Sequence, residues 1–161
     1  MPPRPYRFFH AMWQALFRRG LMQLLLAEKQ AEGQTRLLAG SIFLKFGHTV
    51  FYAFTGCRRA DFSMHPCDLI QWHAIQNAAK ERYRRYDFGE VADDSPSLAN
   101  FKRKWGAEET RLYRYYYPAP NNLEAQSLPL STWPRKIAQN VWRQLPLSTT
   151  ARIGDFLYSY L

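Results

Sequence analysis

Tyr86-Asp87-Phe88-Gly89 and, beyond a short acidic loop, Leu98-Ala99-Asn100-Phe101-Lys102-Arg103-Lys104-Trp105-Gly106 decide how this chain is read. The first four residues read as a short buried strand, the second stretch as an amphipathic helix carrying a cluster of cations. Asp93-Asp94-Ser95-Pro96 between them supplies capping side chains and a proline for the first helical turn. Upstream, His65-Pro66-Cys67-Asp68 opens another helix, with Pro in the first turn and an acid near the positive end of the dipole. That helix is expected to run through Leu69, Trp72, Ile75 and Ala79 to about Arg82. A helix that returns the chain to a sheet normally delivers a strand parallel to its predecessor, so the strand at 86–89 is expected to be parallel.

Three β-rich runs precede that crossover, at 21–28, 36–46 and 50–55, joined by Glu32-Gly33-Gln34 and by Gly47-His48. Short glycine-bearing turns between such runs predict an antiparallel meander. Before it, Tyr6, Phe9, Trp13, Leu16 and Phe17 recur at spacings of three and four, a helix stopped at Gly20. After the cationic helix, residues 108–117 read as another strand, with Tyr113, Tyr115 and Tyr117 on one face. Residues 118–134 hold four prolines and no periodicity, and the tail reads as two short amphipathic helices split at Pro146. The expected fold class is therefore α+β (α/β), a mixed central sheet with helices on both faces plus C-terminal amphipathic helices. The corresponding domain division is 1–118, a linker over 119–134 and a helical tail over 135–161.

With 161 residues, 47% of them hydrophobic, the chain has material for one sizeable core. Twenty-two Lys and Arg against thirteen Asp and Glu give a net charge of +9, concentrated at Arg18-Arg19, Arg58-Arg59, Arg82 to Arg85, Lys102 to Lys104 and Arg135-Lys136. Such a field attracts phosphate-rich partners, whether RNA, a nucleotide-linked substrate or an anionic membrane surface. Two cysteines, Cys57 and Cys67, make neither a disulfide framework nor a structural zinc site and are read as packing residues of a reducing compartment. His48, His65 and His73 lack metal-ligand spacing, so no metal site is expected, and His73 is read as a helix-packing residue. The apolar run Leu24-Leu25-Leu26-Ala27 is far too short to span a bilayer. The expected location is cytoplasmic, with peripheral contact at the inner face of the membrane left open.

An antiparallel meander, a crossover helix and a splayed following strand is the organisation of a GNAT-type acyltransferase. Several stretches together resemble the FemAB-like, GNAT-fold family, in particular the FemAB-related proteins of exosortase and polysaccharide-export systems. They are Pro5-Tyr6-Arg7-Phe8-Phe9, Leu24 to Ala27, Phe51-Tyr52-Ala53-Phe54, Leu69-Ile70-Gln71-Trp72, Asp87-Phe88-Gly89, Phe101-Lys102 with Trp105-Gly106, Tyr115-Tyr116-Tyr117-Pro118, and Val141-Trp142-Arg143-Gln144-Leu145-Pro146. Relatives are about twice as long and carry two such halves, and this chain is similar to the second half. It departs from them at Cys67, often a polar amide, and at Glu81 or Arg82, where a glycine is usual.

The resemblance implies transfer of an aminoacyl or acyl group to an amine in cell-wall peptidoglycan or polysaccharide biosynthesis. Transfer passes through a tetrahedral oxyanion that a nearby cation stabilises. It points to Lys102 as the oxyanion or phosphate contact, with Phe101 beside it. Against this stands a solvated helix face shared by Lys102, Arg103 and Lys104. Asp87, mid-strand, either serves as base or amine contact, or pairs with an Arg or caps loop backbone. Tyr52, Arg58 and Arg59 are the further substrate-binding candidates, an arginine fork being suited to phosphate. The implied donor is aminoacyl-tRNA. The glycine turn that cradles the coenzyme A pyrophosphate has no match ahead of the 66–82 helix, which disfavours acetyl-coenzyme A and leaves no bound cofactor expected. The expected partners are an amine acceptor such as a nucleotide-linked envelope precursor, tRNA and a missing first GNAT-like half, the chain being a fragment, one product of a split gene or a stand-alone remnant. The alternatives are a non-catalytic scaffold module and an RNA binder using the aromatics and cations of Tyr83 to Tyr86 and Arg111 to Tyr117.

Overall fold

The computed structural model describes residues 4–31, 33–113 and 115. Helix α1 (Tyr6–Leu16) runs into a 3-10 turn, Phe17–Arg19, and stops where Gly20 takes φ +67° and donates its N–H to the Phe17 carbonyl at 2.9 Å. Strands β1 (Met22–Ala31), β2 (Gln34–Phe46) and β3 (Thr49–Cys57) form the antiparallel meander. A 3-10 turn at Arg59–Met64 leads to α2 (Pro66–Lys80), then β4 (Arg85–Asp87) and α3 (Pro96–Arg103). The sheet order is β1-β2-β3-β4, with β4 parallel to β3, as the crossover helix requires. The sheet, α2, β4 and α3 all fall in one compact unit, Trp13–Thr110.

The fold is the expected mixed α+β arrangement. Ala27, Ala39, Phe43 and Val50 of the sheet and Ile70, Ala74 and Ala78 of α2 form a single buried cluster, with Tyr52 and Tyr86 packed against it. Alanines from both helix and sheet let α2 lie close, and the phenyl ring of Phe43, with no exposed surface, stabilises the fold by about 1.5–3 kcal/mol. Two bulges modulate the meander, with Leu38 the extra residue of β2 and Ala53 that of β3.

Several expectations are corrected. The stripe Leu69, Trp72 and Ala79 does not face the sheet, since Leu69 and Trp72 are half exposed; α2 buries Ile70, Gln71, Ala74 and Ala78 instead. Size misled here, because a crossover helix pressed on a sheet selects small residues, and the tryptophan is left outside. His73 is likewise exposed rather than packed. Ser95 is the N-cap residue of α3, but its hydroxyl turns to Asp94 and caps nothing. Residues 108–113 and 115 form no strand: Leu112, Tyr113 and Tyr115 are all well exposed. The linker over 119–134 and the tail helices over 135–161 lie outside the described residues. Arg82, just beyond α2, takes a left-handed φ of +63°.

Candidate functional site

The ladder between β3 and β4 is short. Thr49 pairs with Arg85, Val50 with Tyr86 and Phe51 with Asp87, after which β4 leaves while β3 continues to Cys57. The departure is built by local chemistry. The Asp87 Oδ1 accepts the N–H of Gly89 at 2.7 Å, an Asx-type turn, and Gly89 takes φ +71°. A Cβ at Gly89 would lie 3.4 Å from the Phe51 ring and 3.6 Å from the Tyr52 carbonyl, ordinary contact distances, so it is the left-handed backbone that favours glycine here. Across the gap, the bulge at Ala53 re-aims the backbone of β3 at the same level. Among the described residues no strand pairs with the β4 side of β3 beyond Phe51, and this unpaired edge of β3 is the candidate cleft.

Helix α3 is tied to the loop after β4 and to the first turn of α2. Lys102 is 8% exposed, and its ammonium donates to the carbonyls of Gly89 at 2.9 Å and Glu90 at 3.0 Å. Burial pulls its pKa down from the ordinary lysine value, while the nearby Asp87 and Glu90 carboxylates act in the opposite direction. Two of its three N–H donors are thus spent on holding the loop after β4. Two residues on, Lys104 pairs with Asp68 in the first turn of α2 and lies over the rings of Phe101 at 4.6 Å and Trp105 at 5.8 Å. The other Asp68 oxygen is 3.4 Å from Nδ1 of His65, a residue held at a left-handed φ of +50°.

A polar layer lies behind the cleft, between α2 and the sheet. The hydroxyls of Ser41 and Thr55 are 2.9 Å apart, and the Tyr86 hydroxyl donates to Gln71 Oε1 at 2.6 Å. Gln71 is fully buried, and its Nε2 has no hydrogen-bond partner among the described residues. Tyr52 sits here, with burial raising its pKa and Thr55, Ser41 and Gln71 beside it pulling the other way. The Cys67 thiol, next to Cys57, is pushed up to about 11 chiefly by burial, so both sulfurs belong to the packing.

The sequence candidates therefore separate. Lys102, Asp87 and the Gly89 turn come together, and Phe101 stands beside them under Lys104. Asp87 caps loop backbone, and Lys102 is a buried tether rather than a solvated member of a cationic face. Tyr52 faces the polar layer under α2. Arg58 lies 3.9 Å from the buried Asp61, which Arg36 also engages, and Arg59 opens the exposed 3-10 turn; no contact among the described residues joins either arginine to Lys102. The Asp68, Lys104 and His65 group was missed from sequence. Its only signal was an acid in the first turn of α2, which reads equally as a dipole partner. Among the described residues no group of three His, Cys, Asp or Glu side chains is arranged to hold a metal ion.

The family profile described as an acetyltransferase (GNAT) domain matches residues 1–103, from α1 through the end of α3. No curated protein and no solved structure matches the chain.

Proposed function

The chain belongs to the acetyltransferase (GNAT) domain family, and from that premise we propose that it is an acyl transferase of the FemAB type, moving an aminoacyl group from tRNA to an amine of a cell-envelope or polysaccharide precursor. The observation that carries this reading is the parting of β3 from β4 beyond Phe51 and Asp87, with the bulge at Ala53 on one wall and the Gly89 turn on the other. An extended acyl donor lying in that gap adds to the edge of β3 as a strand would. The acceptor amine attacks the ester carbonyl, the new C–N bond forms, and the C–O bond breaks with the proton passing to the departing tRNA hydroxyl. Backbone N–H groups of the bulged β3 face the oxyanion as it develops.

Lys102 is a positioning residue in this scheme. Its ammonium fixes the Gly89 and Glu90 carbonyls, and so the wall of the cleft, with one N–H left for substrate. Asp87 sets the turn, Phe101 supplies an apolar rim, Tyr52 orders the polar layer behind, and Arg58 and Arg59 meet donor phosphate. The absence of a glycine turn ahead of α2, where the chain reads His65-Pro66-Cys67-Asp68, supports a donor other than coenzyme A. The further partner is the acceptor precursor.

The test is to incubate the purified chain with aminoacyl-tRNA, or separately with acetyl-coenzyme A, and a panel of amine acceptors, and to read acceptor mass. A mass increment equal to one aminoacyl residue is expected. An increment with acetyl-coenzyme A alone would replace the donor, and none with either would point to a non-catalytic assembly module.

A further inference from the structure

At the end of the sheet where β4 begins, the chain gathers cations that no acid among the described residues answers. Lys80 closes α2, Arg82, Arg84 and Arg85 follow, and all four are exposed. The one acid among them, Glu81, is engaged by Lys45 at 2.6 and 2.8 Å, so the pair is neutral and the four cations are left in surplus. This segment is fixed beside the β2–β3 hairpin tip: the N–H groups of Arg84 and Arg85 donate to the His48 carbonyl at 2.9 and 3.1 Å. Phe46, at the end of β2, is 85% exposed on that tip. The patch thus combines one exposed phenyl ring at the hairpin tip with His48 and the exposed cations of the adjoining segment, on surface that the proposed cleft does not use.

We propose that this hairpin tip and the arginine segment beside it form a docking surface for an anionic phospholipid bilayer. The cations meet lipid phosphates and carboxylates, and the phenyl ring enters the headgroup boundary, as apolar residues flanked by basic ones do at interfaces. Single-stranded RNA suits the patch less well. RNA would need successive exposed aromatics on which bases stack, yet Tyr83 and Tyr86, the aromatics interleaved with these arginines, both pack against the core. No helix among the described residues is long and apolar enough to cross a membrane, so the contact is one of surface.

The full chain is sedimented with vesicles of pure phosphatidylcholine and with vesicles of equal parts phosphatidylcholine and phosphatidylglycerol. Binding to the anionic vesicles alone is expected, weakening as salt rises. Each removed cation lowers partitioning about fivefold, so R84Q/R85Q binds roughly 25-fold more weakly. F46S lowers binding independently, and unchanged circular dichroism for both variants separates lost binding from lost fold. Equal binding to both vesicle types, or unaltered binding by the folded variants, overturns the proposal. So does a wild-type chain that ignores vesicles and binds tRNA through these arginines. Transfer to a soluble acceptor does not depend on this surface, so the proposed activity stands or falls separately.

Discussion

Replacing Lys102 with methionine isolates what its ammonium does, since methionine keeps an unbranched apolar stem of similar length. The substitution removes two charge-assisted hydrogen bonds, to Gly89 at 2.9 Å and Glu90 at 3.0 Å. Such bonds are worth about 1.5–3 kcal/mol each. The sum is not the expected loss. Glu90 is exposed and its carbonyl regains water, and an ammonium 8% exposed no longer has to be desolvated. A net destabilisation of about 2 kcal/mol is expected, read as a lower urea midpoint at unchanged slope. The pH dependence adds an independent check. The folded pKa of Lys102 lies below the ordinary value of 10.5, so between the two it is the unfolded chain that holds the extra proton. Its contribution to stability therefore rises with pH through that window and levels off above 10.5 in wild type, and is missing in Lys102→Met. A variant as stable as wild type, with the same alkaline profile, would refute the tether.

Three other substitutions report on the frame around the cleft. Arg82→Gly relieves a left-handed φ of +63° and is expected to raise stability by about 1 kcal/mol, checked by thermal denaturation. Gly89→Ala brings a Cβ to 3.4 Å from the Phe51 ring at φ +71° and should cost about 1–2 kcal/mol, with transfer falling further than stability because the cleft wall moves. Tyr86→Phe leaves the buried Gln71 amide without its hydroxyl partner, at a cost of about 1–3 kcal/mol. Burial raises the Tyr86 pKa, so above about 10 the unfolded chain loses a proton that the folded one keeps, and wild-type stability falls there. The phenylalanine variant should lose that part of the alkaline decline in a urea series against pH.

The meander, the crossover and the parallel strand were legible because glycine turns and hydrophobic period act locally. Gly33, Gly47 and Gly89 all take positive φ, where only a residue without Cβ is comfortable. The face of α2 was not legible, because which stripe meets the sheet is set by the room between them: Ala74 and Ala78 fit against Ala27 and Ala39, and Trp72 does not. Residues 108–113 form no strand: the alternation of side chains along a segment does not say whether a neighbouring strand pairs with it. Asp87 and Lys102 were singled out from the chain, but what their side chains hold was hidden. The partners of Lys102 are backbone carbonyls, which no side-chain pattern announces. The pairing of Lys104 with Asp68 spans two helices and is equally invisible along the sequence.

Hydrogen exchange along β3 tests most directly whether the parting of the strands is where acyl donor lies. Amide protection is compared in the presence of aminoacylated and of uncharged tRNA, so that contacts to the nucleic acid itself cancel. Added protection by the charged form is expected over Tyr52 to Cys57 and at Gly89 and Glu90, with the paired segment Thr49 to Phe51 unchanged. Protection confined to other strands, or identical protection by the two forms, would contradict it.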